Sequence, residues 1–331
     1  MVKSIQDKAR GSLMGLAVGD ALGVPTEGKS REEISARWGT VMDFLSDDQV
    51  GSDDTEYALF NAKLLLDKKR VITQEDVAVA WRKEIIKSNN SYKGAGFSEV
   101  IAIQNLLKGL DPPQSGKHLH SWSDGLAMRV APFGIVSAGD PELAAYLASV
   151  DGSISHSGEG IYSGQAVAAA IATAMSDDDL DKIIFSALNV IPKDSWTYSS
   201  INRAVQIGDS TRDVWNALDP LYKSLIDSFY FWTDVAPEAV GLAFGIIKAA
   251  SGKFEDAVLG SINIGRDTDT IAAISGAICG AINGINTIPE KWIKRITDSK
   301  GICINTVKGM NVIKVADQLA LLAQSWEKKN G

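Results

Sequence analysis

The sequence predicts an all-α fold, a single compact multi-helix domain over residues 1–331, and three observations carry that prediction. Glycines and alanines recur at four-residue spacing in four stretches, which places each row on one face of an α-helix. Period-two alternation of β-branched residues is largely absent. The chain holds 30 glycines but only 9 prolines and no Gly/Ser-rich linker, so the glycines must sit inside or beside ordered elements. Glycine costs a helix interior about 0.5–1 kcal/mol relative to alanine. A face without side chains offsets that cost by letting two helix backbones approach closely, the geometry that small-xxx-small motifs use in lipid.

The elements follow in chain order. Gly11, Gly15, Gly19 and Gly23 form the first row, with Asp20 inside it and Pro25 after it. Ser30 with Glu33, and Thr73 with Asp76, have the spacing of helix N-terminal caps. Leu110 to Gly125 carries Pro112, Pro113, Gly116, His118, His120 and Trp122 without helical periodicity, and reads as a long surface loop. Asp140 before Pro141 starts a helix. Gly160, Gly164, Ala168 and Ala172 form the second row, and Ser176 before three aspartates suits another N-terminus. The third row is Gly241, Gly245 and Ala249, in a helical run from Pro237 that Gly252 stops. Ala272, Gly276, Gly280 and Gly284 form the fourth row; Thr287, two residues before Pro289, marks the next helix start. Residues 312–327 close the chain as an amphipathic helix with Val315, Leu319, Leu322 and Trp326 on one side. About a dozen helices are expected, and the rows come from both ends of the chain, which argues for one core.

Charge and cysteine content narrow the setting. A formal net charge of −8 without a basic patch argues against binding nucleic acid or anionic membranes. Two cysteines, Cys279 and Cys303, suggest a reducing compartment. Residues 12–19 make a poor signal peptide because Asp20 interrupts the run, and the uncharged stretch 271–289 contains Asn283 and Asn286. A soluble cytoplasmic protein is expected.

Two short acidic runs carry the chemistry. Ser52-Asp53-Asp54-Thr55 precedes one helical run, and Asp267-Thr268-Asp269-Thr270 precedes the small-residue helix 271–284. Aspartate, serine and threonine are preferred N-caps, so capping explains either run alone. A helix start needs one capping oxygen, however, and here there are two carboxylates flanked by hydroxyls. Asp53 and Asp54 diverge by roughly 100° in a helix, and Asp267 and Asp269 can bracket a metal from the other side. Hard oxygen ligands suit Mg²⁺ or Mn²⁺, and no His/Cys cluster has zinc spacing. Asp20 reads either as a helix-terminal aspartate bonded to a neighbouring amide or as part of this site, and Glu27 either as a solvated loop carboxylate or as a site residue.

Read together, these stretches resemble the ADP-ribosylglycohydrolase family. The similarity runs through Gly15-Leu16-Ala17-Val18-Gly19-Asp20-Ala21-Leu22-Gly23 with Glu27, Ser52–Thr55, Ala127-Met128-Arg129-Val130-Ala131-Pro132, Ser155-His156-Ser157-Gly158 and Asp267–Ala273. It implies about a dozen helices around a binuclear centre of two Mg²⁺ (or Mn²⁺) ions. The ligands it implies are Ser52, Asp53, Asp54, Asp267, Asp269 and Thr270, with Glu27, Asp53 or Asp54 as general base. It implies substrate contacts from Asp20, Ser123, Asp124, Gly125, Met128 and His156. His156 also has the plainer reading of a buried, satisfied histidine.

Three departures bear on substrate. Ser52 stands where many members have threonine, which keeps the hydroxyl. Ser123-Asp124-Gly125-Leu126 replaces a Gly-Asn-Gly-Ser-like loop, so an Asp124 facing the pocket would repel a pyrophosphate. Arg266 stands where many members have glycine, and offers a cation for a carboxylate or phosphate, or for a ligand's outer oxygen. The expected activity is metal-dependent hydrolysis of a ribosyl C1–N or C1–O bond, in a small-molecule ribosyl substrate or an ADP-ribosylated acceptor. The alternatives are hydrolysis of a nucleoside or other small N-riboside, and a catalytically silent crystallin-like structural or binding protein. A magnesium phosphohydrolase would want more Lys and Arg near the carboxylates.

Overall fold

The computed structural model describes residues 3–87, 94–226, 230 and 232–330. Helices dominate it. Among the described residues there are sixteen α-helices, and the β pairing is limited to three isolated bridges. The count exceeds the expected dozen because short turns such as Gln74–Ala80, Ala131–Val136 and Glu290–Arg295 are helices of their own. Apolar side chains from both ends of the chain share one core, from Ala9 to Trp326. No helix among the described residues is long and apolar enough to cross a membrane.

The centre of the molecule is a pair of antiparallel helices. Helix Ile5–Gly23 starts at Ser4, whose hydroxyl accepts from Asp7 N at 3.1 Å, and is buried almost from end to end. It packs chiefly on helix Thr268–Asn283. The first and fourth rows meet there. A Cβ added to Gly11 would strike Gly280, one on Gly15 would strike Gly276, and one on Gly19 would strike Ala272. One on Gly23 would fall 2.5 Å from Asp269 N. Backbone lies against backbone from Gly11 to Gly23, about three turns, as the four-residue spacing requires.

The third row behaves similarly: Gly241 and Gly245 of helix Ala236–Ala249 lie against Ser200, Ala204 and Gly208 of helix Trp196–Thr211. The second row differs. Gly160 and Gly164 open space for the Ser121 carbonyl and the Leu126 side chain, so there the row receives a turn and a short 3₁₀ helix instead of the backbone of another α-helix.

The caps at Ser30, Thr73 and Asp140 are present as expected. Gly252, at φ 72°, donates to Ile247 O at 3.0 Å and ends its helix. The N-terminus near Ser176 is placed differently. Asp179 is the cap, accepting from Asp181 N and Lys182 N, while the Ser176 hydroxyl donates to Thr173 O. Pro289 is the cap of helix Glu290–Arg295 and Thr287 lies in a short 3₁₀ turn before it. Residues 110–123 form turns that lead into a 3₁₀ helix, Asp124–Arg129, and that helix is wholly buried. Both cysteines are buried and unbridged.

A carboxylate-lined cleft as the candidate metal and substrate site

Two helix starts meet at this cleft. Helix Asp53–Lys68 has Ser52 as its N-cap, with the Ser52 hydroxyl accepting from Asp54 N at 3.4 Å. The carboxylates of Asp53 and Asp54 are therefore not spent on capping. Asp20 does that work from the central helix: buried, it accepts from Ser52 N at 2.9 Å, from Thr55 N at 3.1 Å and from the Thr55 hydroxyl. Burial pushes the Asp20 carboxyl up to about 6 even though the Thr55 and Ser52 hydrogen bonds pull it down. Glu56, one turn along, accepts the amides of Ile302, Cys303 and Ile304, each at 2.7 Å, which ties the back of the helix to a neighbouring loop.

The second start is Asp267, ahead of helix Thr268–Asn283, and its side chain caps nothing. The Thr268 hydroxyl donates to Gly23 O at 3.0 Å, and Thr26 bonds both Gly23 O and Thr268 Oγ1 at 2.9 Å. This knot joins the end of the central helix to Asp267 and Asp269, and brings the turn bearing Glu27 beside them. One oxygen each of Glu27, Asp267 and Asp269 lies within a 4.8 Å cluster. The Thr270 hydroxyl donates to Asp54 Oδ1 at 3.4 Å, so the two acidic runs touch.

The cleft holds about 560 Å³. Eight carboxylates line it, from Glu27, Asp53, Asp54, Glu99, Asp124, Asp234, Asp267 and Asp269, and among the described residues no lysine or arginine does. Glu99 is paired from behind with Arg129 at 2.7 Å, and Asp234 with His120 at 2.7 Å. The other six form no ion pair among the described residues, although the nearby Lys29 charge acts on Glu27. Burial raises Asp54, Asp124, Asp267 and Asp269 well above the usual carboxylate range, and neighbouring carboxylates raise them further. Asp54 Oδ2, Asp124 Oδ2 and Asp269 Oδ1 are buried without a hydrogen-bond partner. Crowded, dehydrated carboxylates with unused oxygens are the donor set that divalent hard cations satisfy. The residues present fit Mg²⁺ or Mn²⁺.

The residues singled out from sequence divide into two groups. Glu27, Asp53, Asp54, Ser123, Asp124, Gly125, Met128, Asp267, Asp269 and Thr270 all line the cleft. Ser52, Asp20, His156 and Arg266 do not. Three of these need correction as substrate contacts. Asp20 lies behind helix Asp53–Lys68 as described. His156 is buried, its Nδ1 bonded to Ser155 Oγ at 2.8 Å and its Nε2 to Ser123 Oγ at 3.1 Å, which is the satisfied histidine of the plainer reading. Arg266 turns away from the carboxylates to Glu238.

Sequence reasoning missed Glu99, Asp234 and Trp232, which also line the cleft. Glu99 is a single acid in the first turn of helix Phe97–Leu107, where a carboxylate is ordinary. Asp234 and Trp232 lie outside any periodic stretch, and nothing local marks them.

Fold and cleft together define an all-helical protein that gathers acidic helix starts around one carboxylate-lined cleft. The chain belongs to the ADP-ribosylglycohydrolase family, whose model matches residues 1–329. It is 34% identical to a protein of Archaeoglobus fulgidus over 89% of this chain and 93% of that one. It is 24% identical to the ADP-ribosylarginine hydrolase Tri1 of Pseudomonas putida, covering 89% and 76% of the two chains. Against the ADP-ribosylhydrolase ARH3 of Danio rerio the identity is 27%, over 86% and 84%. A solved structure titled an ADP-ribosylglycohydrolase-related protein complex superposes with a TM-score of 0.68 at 20% identity, covering 97% of this chain and 100% of the other.

Proposed function

We propose that this chain is a Mg²⁺- or Mn²⁺-dependent glycohydrolase that cleaves the bond between ribose C1 and an N- or O-linked leaving group, with an ADP-ribosyl compound as substrate. The observation that carries the reading is the cleft: six carboxylates with no ion pair among the described residues, three of them with orphaned buried oxygens, in a chain of this family. The acidic lining and intact ligand oxygens count against a silent structural role, and the lack of lysine and arginine among the described lining residues counts against a phosphohydrolase.

Asp53, Asp54, Asp267, Asp269 and Thr270 would hold two ions, with Ser52 beside them. When bound, such ions supply Lewis acidity toward ribose hydroxyls and lower the pKa of water. The chain's own groups do the rest. Glu27, exposed at the mouth of the cleft and beside Asp267 and Asp269, is placed to accept the proton of the attacking water. As the glycosidic bond lengthens, positive charge develops at C1, and the fixed carboxylates around it stabilise that charge without reorganising. Thr270, Ser123 and the backbone of Gly125 orient the sugar from the wall.

A second reading, a nucleoside or other small N-riboside as substrate, is favoured by Asp124. Its buried carboxyl lines the cleft with Oδ2 unpartnered, and Arg266 is committed to Glu238, so a pyrophosphate would find neither a cation nor a phosphate-binding hydroxyl at that position. Incubation of the pure protein and Mg²⁺ with ADP-ribosylarginine, ADP-ribosylserine and a panel of nucleosides separates the two. Release of ADP-ribose with nucleosides untouched supports the first; the converse supports the second. If calorimetry shows no Mg²⁺ or Mn²⁺ binding and Asp269→Asn leaves metal content unchanged, the metal-dependent mechanism fails.

A further inference from the structure

Arg266 is a long cationic residue at a strained position directly before a cleft carboxylate, yet it does not enter the cleft. Its φ is +70°, in the left-handed region that a side chain adopts at a cost. Its backbone is paired on both sides with the Glu27 turn: Arg266 N donates to Lys29 O at 2.8 Å and Gly28 N to Arg266 O at 2.9 Å. Its guanidinium reaches the other way. Nε donates to Glu238 Oε1 at 2.6 Å, and Nη2 donates to Trp232 O at 2.7 Å and Tyr230 O at 3.3 Å. Glu238 is 1% exposed, so this is a desolvated pair and not a surface contact.

The segment that the guanidinium grips continues around the mouth. Asp124 N donates to Asp234 O at 3.0 Å, and Ala236 N to Trp122 O at 2.9 Å. The Glu27 turn, Arg266, residues 232–235 and residues 122–124 thus form one hydrogen-bonded collar around the carboxylates. Within it, the Arg266 side chain joins the Glu27 turn to the segment bearing Trp232 and Asp234, and the His120–Asp234 contact at 2.7 Å joins that segment to the loop before Asp124. Trp232 and Asp234 line the cleft on one side of that link, and Glu27 and Gly28 on the other.

We propose that Arg266 is a positioning residue for substrate, joining the two lips of the cleft and thereby fixing where Trp232 and Asp234 stand relative to Glu27. It touches no reacting atom. The inference rests on the reading that this cleft binds the ribosyl substrate. Its consequence is that the side chain governs substrate affinity more than the chemical step.

Arg266→Gly removes the side chain and suits the positive φ, so the backbone pairing with Lys29 is kept. That variant takes the arginine away from the buried Glu238 carboxylate, and the double variant Arg266→Gly/Glu238→Gln removes that charge as well. Hydrogen exchange of substrate-free protein tests the collar. In both variants the Asp124 and Ala236 amides should exchange faster, while Arg266→Lys, which keeps the charge and a donor, restores part of the protection. Kinetics tests the consequence: KM for the ribosyl substrate should rise about five-fold or more with kcat changed less than about two-fold. Unchanged exchange in both variants would overturn the proposal, as would kcat falling in step with thermal stability while KM holds. A wild-type chain without turnover would refute the functional reading instead, and exchange alone would then decide the collar.

Discussion

Gly276→Ala tests whether close helix packing holds the candidate metal site together. The added methyl carbon would collide with Gly15 O and lie 2.6 Å from Gly15 C. Non-bonded carbons sit at about 3.5–4.0 Å, so the helices must part by roughly 1 Å. Both obstacles are helix backbone and cannot rotate away. Overpacking costs about 1–3 kcal/mol, and a collision this close with backbone belongs at the upper end of that range, while alanine returns about 0.8–1 kcal/mol through its helix preference. The net loss expected is about 2 kcal/mol. With an unfolding entropy of roughly 0.7 kcal/mol/K for a chain of this length, Tm should fall by about 3 °C. Metal affinity should fall too, since Asp269 and Asp267 start one of the parted helices and Asp20, on the other, holds the start of the helix bearing Asp53 and Asp54. Metal–ligand distances tolerate only about 0.2 Å, so Mg²⁺ binding by calorimetry should weaken about ten-fold or more. Gly260→Ala is the control, because its methyl meets the Val214 and Ile246 side chains away from the cleft. If Gly276→Ala loses stability but binds Mg²⁺ as tightly as Gly260→Ala does, the link between packing and site is wrong. If it loses no stability, the backbone contact itself is wrong.

Other expectations follow from buried polar groups. Glu56→Ala leaves three inward amides without their acceptor and should cost about 2–4 kcal/mol in urea unfolding; a change within error would show that water replaces the carboxylate. Arg129 is fully buried between Glu99 at 2.7 Å and Asp151 at 2.8 Å. Arg129→Met should cost more than about 4 kcal/mol by stranding two carboxylates, and Arg129→Met/Glu99→Gln/Asp151→Asn should recover much of it; an equally unstable triple variant would argue for lost packing instead. Burial by itself would raise Asp76, but Lys68 and Thr73 outweigh it and bring the carboxyl down to about 2. The ordinary unfolded value is about 3.9, so this stabilisation is present above about pH 4 and lost as the pH falls toward 2. The stability gap between wild type and Asp76→Asn should therefore be open at pH 6 and close toward pH 2. A gap independent of pH would mean that the carboxylate's charge is not involved.

The parts of this protein legible in its sequence are those encoded within a few residues. The four-residue rows, the caps at Ser30, Thr73 and Asp140, and the stop at Gly252 all depend on helical period and on backbone groups a turn away. The acidic runs at Asp53–Asp54 and Asp267–Asp269 are legible for the same reason: too many carboxylates stand where one cap suffices.

The sequence does not show which way a side chain turns once helices from distant parts of the chain meet. Asp20 interrupts an apolar helix and reads as a site residue, yet it serves amides 32 and 35 residues away. Arg266 adjoins the site in sequence, but a desolvated Glu238 28 residues back holds its guanidinium more firmly than an open cleft would. Glu99 and Asp234 have no local signature and join the cleft because Arg129 and His120 hold them there. Local periodicity can specify a helix and its faces. The pairing of charges across helices follows from which surfaces are buried together, because the strength of each pair depends on the water that packing removes.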